Sequence, residues 1–103
     1  MNAETFHQRA SALQAKGPLA LFSGDLQPLM AEGKAAGEKA RQQRLESVAA
    51  GRRPRYCPPS DVRGMDRDEF MTRLSAIPEA ERRRIDMTEA TTRILAGKYP
   101  CRN

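Results

Sequence analysis

The sequence has few of the residues that build large cores or active sites. It contains no Trp, two Tyr, three Phe and a single His among 103 residues. With so few aromatic side chains we expect a thin hydrophobic core. Catalysis by acid–base or nucleophilic chemistry requires a base positioned beside a nucleophile or a second carboxylate. His7 lies near the start of the chain and is interpreted as a surface or helix-packing residue, so the sequence predicts no enzyme.

Long apolar runs and sets of metal ligands are also lacking. The longest apolar run, 19–22, is far shorter than the roughly 18 residues of a membrane span. Two cysteines and one distant histidine cannot supply the four ligands of a structural zinc site, so we expect no metal and no cofactor. Residues 1–8 lack the basic and apolar regions of a secretory signal. We therefore expect a periplasmic protein if a signal has been removed, and otherwise a cytoplasmic one.

The residues that are present predict an all-α protein, a small bundle of about four helices. Phe6, Ala10 and Leu13 recur at helical spacing, and similar stripes follow along the chain. Asp66 and Asp86 each precede a stripe and have a Glu three residues later, which is the pattern of a capping box. No apolar–polar alternation is long enough to require a strand. The predicted helices span residues 3–16, 25–50, 67–77 and 87–96.

These helices are expected to form one domain over residues 1–103. The N-terminal helices (1–51) and a C-terminal helical hairpin (66–103) are joined by a linker (52–65) that is rich in Pro and Arg. Prolines remove backbone donors and fix φ, which excludes a helix in the linker.

Two glycines interrupt the apolar stripe of the second predicted helix. Gly33 and Gly37 lie four residues apart and therefore on one helical face. Each costs about 1 kcal/mol relative to Ala in a helix interior, so a reason for them is expected. We interpret them as allowing close packing against a neighbouring backbone, and a notch for a binding partner is the alternative.

The two cysteines bracket the C-terminal hairpin. Cys57 lies in the linker and Cys101 just after the last predicted helix, so an antiparallel hairpin would bring them together at its open end. An even number of cysteines around one hairpin predicts a disulfide, which would stabilise the fold by roughly 4 kcal/mol in the chain-entropy model. Two reduced thiols in a cytosolic protein are the alternative. A disulfide would indicate an oxidising compartment.

The positive charge is concentrated in one segment. Residues 34–55 carry seven basic and two acidic side chains, an excess equal to the whole net charge of +5. Such segments attract acidic proteins or nucleic acid, and in the nucleic-acid interpretation Tyr56 would stack on a base. The later run 82–84 also fits a solvated loop. The candidate partner-binding residues are Arg52, Arg53, Arg55, Tyr56, Arg82, Arg83 and Arg84.

Three short motifs in the C-terminal half carry a family resemblance. They are Tyr56-Cys57-Pro58-Pro59, a capped helix that ends in Ala76-Ile77-Pro78, and a capped helix that ends in Tyr99-Pro100-Cys101. Over residues 56–101, and more loosely around 30–37, the chain resembles the Rap/Tai immunity proteins of type VI secretion amidase effectors. The resemblance implies a periplasmic helical protein, commonly a homodimer, that blocks the active-site groove of a peptidoglycan amidase. The alternatives are a helical interaction protein of another kind and a basic nucleic-acid-binding module.

Overall fold

Helices form the whole framework of the chain over the part that the computed structural model describes, residues 1–61 and 64–102. Those ranges contain no β-strand, which confirms the predicted all-α fold. Within them, none of the helices has an apolar stretch of membrane-spanning length. The elements in chain order are α1 (Ala3–Ala15), a 3₁₀ helix (Gly17–Phe22), α2 (Leu26–Ala49), α3 (Arg67–Ala76), α4 (Glu79–Arg82) and α5 (Met87–Lys98).

Helices α3 and α5 begin where the capping pattern predicts. The carboxylate of Asp66 accepts a hydrogen bond from the N–H of Glu69 at 2.8 Å, and that of Asp86 accepts one from Glu89 at 2.8 Å. Each glutamate instead pairs with an arginine one turn along its own helix and with a basic side chain from another element. The capping therefore rests on the aspartates.

Two short helices were not predicted. The segment after Pro78 forms α4, because a proline beside the first turn removes only a donor that the turn leaves unused. The 3₁₀ helix has Pro18 in its first turn for the same reason, and it has no buried residue.

The core lies where α1, α2, α3 and α5 meet. The ring of Phe6 contacts that of Phe70 edge to face, with 6.3 Å between the ring centroids. Most of the remaining volume comes from aliphatic side chains, as the scarcity of aromatic residues predicts. The buried cluster consists of Ala3, Phe6, Leu29, Ala36, Met71, Leu74, Met87, Ala90 and Ile94.

The glycines of α2 do not serve the close packing that we expected. A Cβ atom built on Gly33 would lie 4.0 Å from Cζ of Phe6, and one built on Gly37 would meet nothing within 4 Å. Both positions therefore have room for a Cβ atom, so a clash with that atom does not explain either glycine. The small residues that α2 does bury are Ala36 and Ala40.

The predicted disulfide is present. Cys57 and Cys101 are bonded, with their Cα atoms 4.9 Å apart. The N–H of Cys57 also donates to the carbonyl of Tyr99 at 2.8 Å. The linker is therefore attached to the end of α5 by a covalent bond and a backbone hydrogen bond.

Candidate protein-binding surface

The arginine-rich linker lies against the carboxyl end of α5. Beyond the disulfide, the guanidinium of Arg53 donates to the carbonyl of Cys101 at 3.2 Å. Arg52 and Arg53 are both exposed, and neither pairs with an acid in the part of the chain that the structure describes. These two candidate residues therefore present their charge to solvent.

Arg55 has a different environment, because it forms a bidentate ion pair with Glu89. Its guanidinium donates to the two carboxylate oxygens of Glu89 at 2.6 and 2.8 Å, and Arg93 donates to the same carboxylate at 2.9 Å. The hydrogen bonds from Arg55, with a smaller contribution from Arg93, lower the pKa of Glu89 to about 2 although burial opposes them. The charge of Arg55 is thus compensated, and its side chain fastens the linker to α5.

Tyr56 is buried and does not belong to an accessible surface. Only 4% of the residue is exposed, and the guanidinium carbon of Arg44 lies 5.5 Å from the centroid of its ring. A ring enclosed in this way cannot stack on a base, so placing Tyr56 among the partner-binding residues was wrong. Arg44 covers the ring because both residues lie where the end of α2 meets the linker.

Arg82, the first residue of the basic run 82–84, does not belong to a solvated loop. Arg82 is 7% exposed, and its Nε donates to the buried carboxylate of Glu4 at 2.7 Å. Its Nη1 donates to two backbone carbonyls at the end of α3. Arg82 is therefore a structural residue that joins α4 to α1 and α3, and placing it on a binding surface was wrong. Its hydrogen bond also lowers the pKa of Glu4.

The other two arginines of the run are exposed. Arg83 forms an ion pair of 3.3 Å with Glu79 in which both side chains are more than half exposed, and such pairs contribute little to stability. Arg84 has no ion-pair partner within the described ranges. Sequence alone could not distinguish these residues from Arg82, because the three share one local context.

An open apolar groove of about 690 Å³ lies between α1, the 3₁₀ helix, α2 and the start of α3. Its size is typical of sites that bind other molecules. Charged side chains, including Lys34 and Asp68, stand at its edge. The principal apolar lining residues are Phe6, Leu13, Leu26, Leu29, Met65 and Phe70.

Large apolar side chains are exposed near this groove and farther along α2. Extended apolar surface of this kind marks interaction sites. Sequence reasoning missed it, because it weighed the run 19–22 only against the length of a membrane span and expected the apolar stripe of the second helix to serve packing. The exposed fractions are 68% for Leu19, 75% for Leu21, 86% for Phe22, 59% for Met30, 43% for Leu45 and 55% for Val48.

His7 and Ser75 form the arrangement closest to a catalytic pair. Nε2 of His7 and Oγ of Ser75 are 2.9 Å apart, and Nδ1 lies 3.8 Å from the carboxylate of Glu4. Burial, and then the charge of Arg82, lower the pKa of the imidazole. Neither His7 nor Ser75 lines the groove. The contact therefore joins α1 to α3, which agrees with a helix-packing role for His7.

Groups of side chains suited to a metal ion were not found either. Among the described residues, no three His, Cys, Asp or Glu side chains are arranged to hold a metal ion. What the described surface does present is exposed apolar area and positive charge.

No family model matches the chain, and no curated protein or solved structure is significantly similar to it. The surface of the molecule is therefore the main indication of its function. Two features of that surface stand out: the exposed apolar side chains, and the basic side chains that lack an acidic neighbour.

Proposed function

We propose that the protein acts by binding another protein in a stoichiometric complex and does not catalyse a reaction. The observation that carries this proposal is the exposed apolar surface. Phe22, Leu21 and Leu19 project from an element that buries nothing, beside a groove that is itself apolar. A protein partner would remove this area from water, at a gain of roughly 25 cal/mol per Å².

The distribution of charge supports the same proposal and indicates an acidic partner. Lys34, Arg41, Arg52 and Arg53 are exposed and have no ion-pair partner among the residues that the structure describes. Opposite charge on a partner accelerates association by steering the encounter. A nucleic acid would also be attracted, but the buried Tyr56 leaves this region without an aromatic platform for bases.

We further propose that the partner is a secreted peptidoglycan amidase and that the complex forms in the periplasm. The Rap/Tai resemblance is the source of this part of the proposal. It is supported by the disulfide, which joins two of the three motifs that carry the resemblance and suits an oxidising compartment. The homodimer that the resemblance also implies would offer a second way to cover the apolar surface.

The test uses an amidase that is encoded beside the gene for this protein. An equimolar amount of the oxidised protein should abolish peptidoglycan hydrolysis, and titration calorimetry should give a saturating complex. The variant R52E/R53E should slow association, whereas R9E/K16E makes the same charge change on exposed residues outside the cationic segment and serves as the control. Arg55 is left unchanged, because a glutamate there would face Glu89.

The nucleic-acid alternative predicts different results in the same assays. It requires tight binding of generic DNA or RNA whose affinity falls steeply with salt, together with no effect on the amidase. That combination of results would contradict the proposed function.

A further inference from the structure

One long face of α2 has no partner within the chain. Its residues are spaced by three or four positions and therefore lie along one side of the helix. The buried residues Leu29, Ala36 and Ala40 occupy a different side. We define the outward face of α2 as Met30, Lys34, Gly37, Arg41, Leu45 and Val48, of which all but the half-buried Gly37 are exposed.

The chemistry of the outward face is unusual for a surface that meets only water. Apolar side chains stand at both ends, with Met30 59% and Val48 55% exposed. Between them lie Lys34 and Arg41, neither of which has an acidic partner among the described residues. A row of this length, about 27 Å, matches five turns of a second helix. Helices that bind in grooves use apolar anchors at the same spacing.

Gly37 lies in the middle of the outward face and weakens α2 with no gain inside the chain. A glycine destabilises a helix interior relative to alanine, and a Cβ atom at this position would meet nothing within 4 Å. Internal packing therefore does not require the glycine. The missing side chain leaves a notch on the surface between Lys34 and Arg41. A side chain or a backbone segment of another molecule can enter this notch and approach α2 closely.

We propose that the outward face of α2 binds an amphipathic helix with acidic flanks that the partner protein presents. Apolar residues of that helix would cover Met30 and Leu45 and enter the notch at Gly37, while its carboxylates would pair with Lys34 and Arg41. The inference rests on the proposed function in taking the partner to be a protein, and it adds the kind of element that the partner offers.

Charge selects this occupant over a second copy of the chain. Two outward faces paired antiparallel around Gly37 would set Lys34 of one copy against Arg41 of the other. Like charges that face each other across an interface are unfavourable. An acidic helix would instead neutralise both side chains.

The experiment uses two synthetic peptides of about 20 residues, long enough to form a helix. They share one leucine and alanine face and carry either Glu or Lys beside it. Binding to the full-length oxidised protein is measured by fluorescence anisotropy. The acidic peptide should bind saturably and the basic peptide should not, and K34E/R41E should reverse this preference.

The notch is tested by a matched pair of substitutions. G37L fills the notch and should weaken binding of the acidic peptide by at least about tenfold. A35L makes a similar addition at an exposed position of α2 outside the outward face and should leave binding unchanged. Because a Cβ atom at position 37 would meet nothing within 4 Å and glycine weakens a helix interior, we expect G37L to fold and to unfold at a higher temperature than the wild type. A thermal denaturation curve of G37L and A35L checks that a loss of binding does not come from unfolding.

Three results would overturn the inference: no saturable binding of the acidic peptide, equal binding of both peptides, or unchanged binding by G37L. Binding of DNA that is lost in K34E/R41E, without peptide binding, would assign the face to nucleic acid and overturn it too. The amidase assay separates this failure from that of the proposed function. An amidase complex that forms equally well with G37L refutes only the helix-binding face, and peptide binding without amidase inhibition refutes only the proposed partner.

Discussion

Helix α5 and the 3₁₀ helix are opposite extremes of burial within one small molecule. Five of the 12 residues of α5 are buried, whereas none of the six residues of the 3₁₀ helix is. Leu21 and Phe22 of the 3₁₀ helix are 75% and 86% exposed, while Met87 and Ala90 of α5 are completely buried. Apolar residues occur in both elements, but only in α5 do they contribute to the core.

The polar contacts show the same contrast. Asp86 caps the start of α5, and the disulfide and Lys98, paired with Glu69 at 2.7 Å, hold its end. The 3₁₀ helix has no side-chain cap. Local backbone bonds span it, Pro18 lies in its first turn, and Nζ of Lys16 donates to the hydroxyl of Ser23 at 3.4 Å across its two ends.

From this contrast we expect that one group of residues determines the stability of the fold and another is available for binding. Residues that stabilise the fold are concentrated around α5, the linker and α4, and the apolar residues of the 3₁₀ helix and of the outward face of α2 remain available to a partner. Substitutions in the first group should lower the free energy of unfolding, and those in the second should leave it almost unchanged.

The largest effect is expected from removing the disulfide. The variant C57S/C101S opens a loop with a sequence separation of 44 and should lose roughly 4 kcal/mol of unfolding free energy, as measured by urea denaturation. The reduced wild type is the control and should unfold at a similar midpoint. Mass spectrometry after alkylation without reductant should find no free thiol. An unchanged midpoint in the variant would show that the noncovalent contacts of the linker suffice.

A second large effect is expected at the ion pair between Arg82 and Glu4. R82M leaves a buried carboxylate and two carbonyl groups without their donor, which is strongly destabilising. The loss should exceed the effect of removing a helix cap, about 1 kcal/mol. The double variant E4M/R82M should recover part of it, because no buried charge then remains. If E4M/R82M is no more stable than R82M, the unpaired charge of Glu4 is not the cause of the loss.

Acid should weaken the contact between the linker and α5. The pKa of Glu89 falls from an ordinary value of 4.5 to about 2 in the folded protein. A depressed folded-state pKa contributes stability that is fully present above 4.5 and is lost as the pH falls from there towards 2. The thermal midpoint should therefore decline over that interval, and E89Q should flatten the decline. A parallel decline in E89Q would assign the acid sensitivity to other carboxyl groups.

A smaller effect is expected at the start of α5. D86A removes the oxygen that accepts from the N–H of Glu89 and should cost on the order of 1 kcal/mol. D86N keeps an acceptor and should retain most of the stability. An unchanged denaturation midpoint in D86A would show that this cap does not limit the fold.

Local features of the sequence were enough to predict most of the framework. The caps at Asp66 and Asp86 act within four residues, so pattern alone located the starts of α3 and α5. The disulfide followed from the same argument, because a hairpin of known ends fixes which residues meet. Pro78 predicts the end of α3 but not the start of another helix, so the short helix α4 was not predicted.

The environment of the candidate binding residues could not be predicted in the same way, because it depends on distant contacts. Arg82 is buried by Glu4, which lies 78 positions away, and nothing in the run 82–84 marks it. Tyr56 is covered by Arg44 from another element. The sequence correctly marks Gly37 as a residue that weakens a helix. Only the structure shows that no neighbour lies within 4 Å of its Cβ position.

The smallest effect is expected at Leu21, and its comparison with the same substitution at Leu74 is the sharpest test of the contrast between the two regions. Leu74 is completely buried and Leu21 is 75% exposed, so the change to alanine removes the same atoms from opposite environments. L74A should cost about 2–5 kcal/mol, because the core loses apolar contacts and gains a cavity. L21A should stay within about 0.5 kcal/mol of the wild type, as is usual for surface positions. If L21A instead lowers the denaturation midpoint as L74A does, the 3₁₀ helix covers the core in solution, and its apolar side chains are not free to meet a partner.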